Sequence, residues 1–287
     1  MKQLIFTLLY WAGVTRLCAW STRKQVKILC YHSITEESDD VADPYKLHLP
    51  ARLFRVHLEH LRQNYHLLSL PDYVAARRNR QSLPDNTVVL TFDDGFRNFY
   101  TVAAPILAEF GFPATVFLIT GKTSETVLPL TGRELRDERH LAWDEVRNLM
   151  RHEHITIGSH THTHRRLPQV LPEEAQRELK RAHDVLAQRL GRHALALSYP
   201  HGQTSPAVQE LVAAAGYSCA LSSAVGGNGK DADLYALRRI VIASDDDRFT
   251  FAARLAGLTW IFGRRRGRPD SEATPLTCSA ADAGVVD

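Results

Sequence analysis

The sequence predicts an α/β fold, a single domain built as a distorted or incomplete (β/α) barrel of about seven parallel strands. Three observations lead there. Short β-branched or apolar runs alternate with longer amphipathic ones from residue 26 onward, the rhythm of βα units around a parallel sheet. At 287 residues the chain can bury one large core, and α/β barrels commonly fold as one unit at about 200 to 250 residues. Polar residues gather where the apolar runs end, which in a barrel is one face, the C-terminal mouth. A doubly wound open sheet is the rival architecture.

Residues 1–25 read as a segment apart. Lys2 precedes an apolar stretch from Leu4 to Val14, a length that suits the core of a signal peptide and falls short of the roughly 18 residues of a membrane-spanning helix. Leu17-Cys18-Ala19 is a poor cleavage pattern, and Arg16 follows closely. The alternative is an amphipathic anchor whose Arg16, Arg23, Lys24 and Lys27 face an anionic membrane surface. Either reading predicts membrane-surface contact or export through the N-terminus, and places the protein in the cell envelope rather than the cytoplasm.

Seven runs then read as strands: Val26 to Tyr31, Thr87 to Phe92, Ala114 to Ile119, Ile155 to Gly158, Leu195 to Tyr199, Tyr217 to Leu221 and Arg239 to Ile242. Between them the apolar residues shift to helical spacing. Phe54, Leu58 and Leu61 recur at four and three after a start marked by Pro50. Asn98 to Phe110, Trp143 to Met150, Pro172 to Leu190 and Ser205 to Ala215 follow the same spacing. The domain so delimited runs over residues 26–262. The remainder, 263–287, opens with Arg264, Arg265, Arg266 and Arg268, turns small and polar, and is expected to be a disordered tail.

Composition narrows function by exclusion. With 44% hydrophobic and 23% charged residues the chain is neither disordered nor fibrous, and a net charge of +3 is too small to predict a nucleic-acid partner. Cys18, Cys30, Cys219 and Cys278 form no CxxC pair and too small a set for a disulfide framework.

The chemistry collects in three stretches. Thr91-Phe92-Asp93-Asp94-Gly95 ends a buried strand with adjacent carboxylates; one can hold a metal while the other accepts a proton, or the pair simply makes a turn. Ile157-Gly158-Ser159-His160-Thr161-His162-Thr163-His164 follows another strand with three histidines in five residues. A helical turn would align His160 with His164, an extended chain would align all three, and either geometry suits Zn²⁺ with an open position for water. Ser198-Tyr199-Pro200-His201-Gly202 takes a third strand into a turn and gains its weight from sharing the mouth. His32, after Ile28-Leu29-Cys30-Tyr31, is a fourth polar residue at a strand end.

Together these stretches resemble the polysaccharide deacetylases, the family of the NodB homology domain or carbohydrate esterase family 4. Thr91 to Gly95 is similar to its first motif, which implies Asp93 as catalytic base and Asp94 as metal ligand. His160-Thr161-His162-Thr163-His164 is similar to its H-(S/T)-x-x-H motif, implying His160 and His164 as ligands with His162 outside. Tyr199-Pro200-His201-Gly202 resembles its third motif, implying the Tyr199 backbone N–H as oxyanion donor. Ser198 stands where that motif carries an Arg to steady the base, and Arg238 or Arg239 is the expected substitute. The family's late L-x-x-H motif, source of the catalytic acid, has no match after residue 201; Leu29-Cys30-Tyr31-His32 fits it at the start, which implies His32 as acid. That arrangement is similar to the circularly permuted branch acting on poly-N-acetylglucosamine in exopolysaccharide systems.

The resemblance therefore implies a divalent metal, most simply zinc, and an N-acetylated polysaccharide or glycan as substrate. Two rivals remain at this point. An amidohydrolase acting on a non-carbohydrate amide would use His160 and His162 as an H-x-H pair, and a catalytically impaired carbohydrate-binding protein would keep the cleft without turnover.

Overall fold

A computed structural model describes residues 2–36, 43, 45–125, 139–191 and 193–258. The tail expected at 263–287, and most of the loop between residues 123 and 139, lie outside the described residues. Two helices come first, α1 (Lys2–Trp11) and α2 (Val14–Ser21). The alternating core follows: β1 (Lys27–Tyr31), β2 (Ser33–Thr35), β3 (His48–Pro50), α3 (Ala51–Asn64), β4 (His66–Leu67), α4 (Leu70–Arg78), β5 (Thr87–Phe92), α5 (Ala104–Phe110), β6 (Ala114–Leu118), α6 (Trp143–Leu149), β7 (Ile155–Ser159), α7 (Pro172–Leu190), β8 (Ala196–Ser198), α8 (Pro206–Ala214), β9 (Cys219–Val225), β10 (Leu237–Val241) and α9 (Arg248–Leu255).

Seven strands close into a parallel barrel in the order β1-β5-β6-β7-β8-β9-β10, and β10 returns to β1. The sheet is therefore a closed ring, and the doubly wound alternative is excluded. The distortion expected from the sequence is present: β7 and β8 share the single pair Ser159↔Leu197, and β9 runs ahead of β10 between Leu237↔Leu221 and Arg239↔Val225. The first strand of the chain, β1, sits between β5 and the last strand, pairing from Lys27↔Val88 to Tyr31↔Phe92 on one side and at Leu29↔Ile240 on the other. The sequence does not reveal β2, β3 and β4, which are two or three residues long and too short for a period to show. Nor does it reveal α4 and α9, short helices announced only by the N-caps Ser69 and Asp247, which accept from Asp72 N–H and Thr250 N–H.

Strand alternation divides the core in two. Leu29, Tyr31, Val88, Leu90, Phe92, Val116 and Leu118 face outward and pack with helix residues such as Phe54, Leu58 and Leu107. The opposite parity faces the lumen, where Ile28, Val89, Phe117 and Ala196 cluster with Leu70, Tyr73 and Val74 of α4, which plugs the end remote from the mouth. Gly158 is glycine because a Cβ there would lie 2.4 Å from the Phe117 ring inside this lumen. The same inward parity, continued two residues further along each strand, delivers Ile28-Cys30-His32, Val89-Thr91-Asp93, Gly158-His160 and Ala196-Ser198 to the mouth.

Candidate active site

Asp93 ends the inward row of β5 and is buried. Arg239 of β10 reaches across the lumen to it with both arms of its guanidinium, Nη1 to Oδ1 at 2.8 Å and Nη2 to Oδ2 at 2.8 Å. The fork is held in turn, since its Nε donates to the Ser222 carbonyl at 2.9 Å. Ser198 completes the arrangement: its hydroxyl donates to Asp93 Oδ2 at 3.0 Å and accepts from Arg239 Nη2 at 3.0 Å. A small residue at 198 thus leaves room for an arginine arriving from two strands away. Of the two candidates raised by the sequence, Arg239 fills the role; Arg238 donates to the Val225 carbonyl instead. Slippage of β9 past β10 beside Arg239 is the kind of irregularity that re-aims a side chain.

Oδ2 also receives the Cys30 thiol at 3.4 Å, so it is saturated, while among the described residues Oδ1 takes only the Arg239 bond and keeps acceptor capacity. Burial opposes ionisation of Asp93, but the Arg239 guanidinium, with His160 and His32 near, outweighs it and holds the carboxyl well below the usual range. Asp94 is likewise held low: burial works against its charge, and the His160 hydrogen bond with the His164 and His32 rings prevails.

Asp94 turns away from its neighbour because its φ of 69° is left-handed. Its Oδ1 lies 3.3 Å from His160 Nε2 and 3.4 Å from His164 Nε2, and the two imidazole nitrogens are 3.2 Å apart. The chain between the histidines is neither helical nor extended. Thr161 and His164 are both left-handed, at φ 65° each, and fold the segment so that His160 and His164 converge. His160 Nδ1 bonds the Ser198 carbonyl at 2.8 Å, which leaves Nε2 for the site. His162 points elsewhere, with Nδ1 at 2.9 Å from Thr120 Oγ1, so the H-x-H pairing of an amidohydrolase does not form. Asp94, His160 and His164 present three donor atoms within 4.8 Å of one another, a set that fits a divalent cation with one side open.

A residue that sequence reasoning misses fixes that loop. Glu178 of α7 accepts from the backbone N–H groups of His162 and Thr163 at 3.1 and 2.7 Å and from Thr163 Oγ1 at 2.8 Å. A signal for it exists: Glu178 interrupts the buried stripe Ala175, Leu179, Ala182 and Leu186 of its helix. Cys30 is missed as well, being indistinguishable in sequence from the apolar run around it.

His32, following β1, lines the same cavity. One of its ring nitrogens lies within 4.8 Å of an Asp93 oxygen, and its Nδ1 is buried without a hydrogen-bond partner. Burial pushes its pKa down, against the pull of Asp94 and Asp93. Cys30, His32 and Asp93 also meet the spacing of a ligand group, but the guanidinium already on Asp93 opposes a second cation there.

The Tyr199 expectation is corrected. Its backbone N–H donates to the Leu221 carbonyl at 3.0 Å as part of the β8–β9 ladder and cannot point at an oxyanion. Its ring is buried, with the hydroxyl on the Tyr235 carbonyl at 2.9 Å. The residues of this turn that reach the cavity are Gly202 and His201, the latter left-handed at φ 56°, with its ring 4.7 Å from that of His164. Tyr45, Leu47 and Val241 supply apolar lining to the same cavity.

The chain is similar to known proteins over most of its length. Residues 80–220 match the family model for polysaccharide deacetylase, a window that holds Asp93, Asp94, His160 and His164 but stops short of both His32 and Arg239. The chain is 25% identical over 244 residues to the putative polysaccharide deacetylase YxkH of Bacillus subtilis, covering 84% of this chain and 80% of that one. It is 33% identical over 138 residues to the poly-beta-1,6-N-acetyl-D-glucosamine N-deacetylase of Escherichia coli, a match that covers 46% of this chain but only 20% of that enzyme. Among solved structures, the Streptococcus pyogenes deacetylase PplD in complex with acetate superposes with a TM-score of 0.69 at 26% identity, over 80% of this chain and 98% of that one.

Proposed function

Because this chain belongs to the polysaccharide deacetylase family, we propose that it is a metal-dependent hydrolase removing N-acetyl groups from an amino-sugar polysaccharide or glycan. The observation that carries the reading is the meeting, in one cavity, of an ionised Asp93 with acceptor capacity on Oδ1, a three-donor group beside it, and His32 across from both. Two imidazoles and a carboxylate favour zinc, and a cation bound there would supply Lewis-acid polarisation of the acetyl carbonyl.

The residues of the chain divide the proton work. Water attacks the acetyl carbon as Asp93 Oδ1 takes its proton, while Arg239 and Ser198 hold the carboxylate in place. As the tetrahedral adduct collapses, the C–N bond breaks and His32, entering the step as imidazolium, delivers a proton to the departing nitrogen, so that an amine leaves and Asp93 afterwards releases its own proton to solvent. The apolar lining of Tyr45, Leu47 and Val241 suits the acetyl methyl group. Arg239 removes the reason for reading the protein as an impaired binding module, since the steadying arginine absent at Ser198 is supplied from β10.

The test is acetate release by the zinc-loaded chain from a panel of β-1,6- and β-1,4-linked N-acetylglucosamine oligomers, compared with the metal-stripped chain. Release that stops on stripping and returns with zinc is expected. No release from any glycan, with zinc bound in one-to-one ratio, would overturn the assignment.

A further inference from the structure

The N-terminal helices carry a surface that the barrel does not use. Of α1, Leu4, Ile5, Leu8 and Trp11 are all exposed, Leu8 at 62% and Trp11 at 76%, and their spacing of i, i+1, i+4 and i+7 makes one face. Its other side packs on α9, with the Tyr10 ring 5.3 Å from that of Phe249. On α2, Leu17 and Trp20 are exposed at 69% and 62%, three residues apart, while Thr15 is buried. The remaining large exposed apolar residues among those described, Val56, Leu171 and Val225, lie singly elsewhere.

This surface has a charge to match. No Asp or Glu occurs before Glu36, whereas Lys2, Arg16, Arg23 and Lys24 do. Arg16 and Lys24 are exposed. Arg23 pairs with Asp85 at 2.9 Å and lays its guanidinium 4.2 Å from the centre of the Trp20 ring. The two helices meet at 83°, turning at Gly13 with φ 76°, and neither is long enough to cross a bilayer.

We infer that α1 and α2 form an in-plane docking surface for a lipid leaflet rich in anionic headgroups. Apolar side chains with two tryptophans, bordered by cations, match the requirements of an interfacial helix. A second copy fits less well, because a two-fold contact through this face would bring Arg16 and Lys24 of both copies together with no acid in the segment to offset them. The first turn of α1 touches the rim of the mouth, where Gln3 Nε2 donates to the Asp245 carbonyl, and Lys46, beside the cavity residues Tyr45 and Leu47, pairs with the same Asp245. Docking therefore holds the mouth close to the leaflet.

The test is co-flotation of the full chain with vesicles of phosphatidylcholine alone or mixed with phosphatidylglycerol. The chain is expected to float with the mixed vesicles and to be released by high salt. The double variant Leu8→Gln/Trp11→Gln, exposed positions outside the active site, should bind the mixed vesicles roughly tenfold more weakly, with acetate release from a soluble oligomer unchanged. Equal flotation of the variant and the parent would overturn the inference. So would failure of the parent to float, a dimer in sedimentation equilibrium that this variant dissolves, or intact-mass analysis showing residues 1–25 absent from the cellular protein. None of these results bears on the deacetylase assignment, which the oligomer assay reads separately.

Discussion

Among the described residues two of the Lys and Arg side chains are buried, at opposite ends of the barrel, and the protein accommodates them in opposite ways. Arg239, at the mouth, lies against the carboxylate of Asp93 with two hydrogen bonds of 2.8 Å each; burial works against its charge, but Asp93 outweighs burial and holds its pKa above the ordinary value. Lys27, near the other end, donates to the Thr22 carbonyl at 2.7 Å, and burial there prevails over distant Asp85 and lowers its pKa to about 8. The difference separates charge kept for chemistry from charge merely tolerated. A bidentate ion pair fixes both the direction and the ionisation of a proton acceptor, whereas a carbonyl only satisfies a donor.

Left-handed backbone occurs at both ends but concentrates at the mouth: Asp94, Thr161, His164 and His201 adopt it there without being glycine, while Arg80 and Asn86 adopt it near the other end. Such conformations cost about 1 kcal/mol or more each and persist only where the surroundings over-determine them. Glu178 is one such surrounding group, since it anchors two N–H groups between the histidines.

The largest effect should come from breaking the pair at the mouth. Asp93→Asn removes the proton acceptor and leaves a buried guanidinium uncompensated, so kcat should fall by about 10²- to 10⁴-fold and stability to urea by about 3–5 kcal/mol. A variant as stable as the parent would show that Arg239 finds another partner. His32→Ala should lower kcat by a comparable ~10²- to 10⁴-fold while leaving the urea midpoint nearly unchanged, because its buried Nδ1 has no hydrogen bond to lose. Acetate-release kinetics and a denaturation curve on the same preparation check both halves.

Smaller is the effect of Glu178→Gln, which touches no substrate and keeps the side chain's shape. Its amide accepts less strongly from the His162–Thr163 backbone, so zinc affinity should drop by about 10- to 100-fold, read by competition with a chelating dye. Unchanged affinity would mean that the loop holds its shape without the carboxylate.

Smallest is Lys27→Met at the other end, expected to leave stability at pH 7 unchanged or raised by about 1 kcal/mol. Here the sign of the pH dependence is the sharper readout. Lys27 has a pKa of about 8 in the folded chain against 10.5 when unfolded, so between these values the unfolded state holds more protons and stability rises with pH. That rise should vanish in Lys27→Met, and its survival would place the burial cost elsewhere.

Much of the mouth is legible in the order of residues. A strand's period of two is written in the sequence, and apolar runs that end in Asp93-Asp94, His160 or His32 announce both the strand and the end that faces solvent. The helices α3, α7 and α8 are equally plain, each with a Pro at its start and a repeating apolar face. The assignment of His164 over His162 rests on resemblance at the level of sequence, because residue spacing alone leaves the turn geometry open. Only the left-handed Thr161 and His164 settle it.

The Tyr199 donor fails for a different reason. Whether a backbone N–H is available depends on whether the neighbouring strand takes it, and β9 does so through Leu221. Glu178 is visible as a polar break in a buried stripe, but its partner, sixteen residues back in the His162 loop, is not.

The sequence by itself determined the seven barrel strands, their inward parity and the kinds of side chain brought to the mouth, because these are local properties of alternation and residue chemistry. Tertiary structure decided which of them meet. Barrel closure puts β1 next to β5 and β10, so that His32 from the start of the chain and Arg239 from near its end converge on Asp93. No local pattern carries that information, since contacts between residues 146 positions apart are set by the closing of a ring and not by the order of the chain.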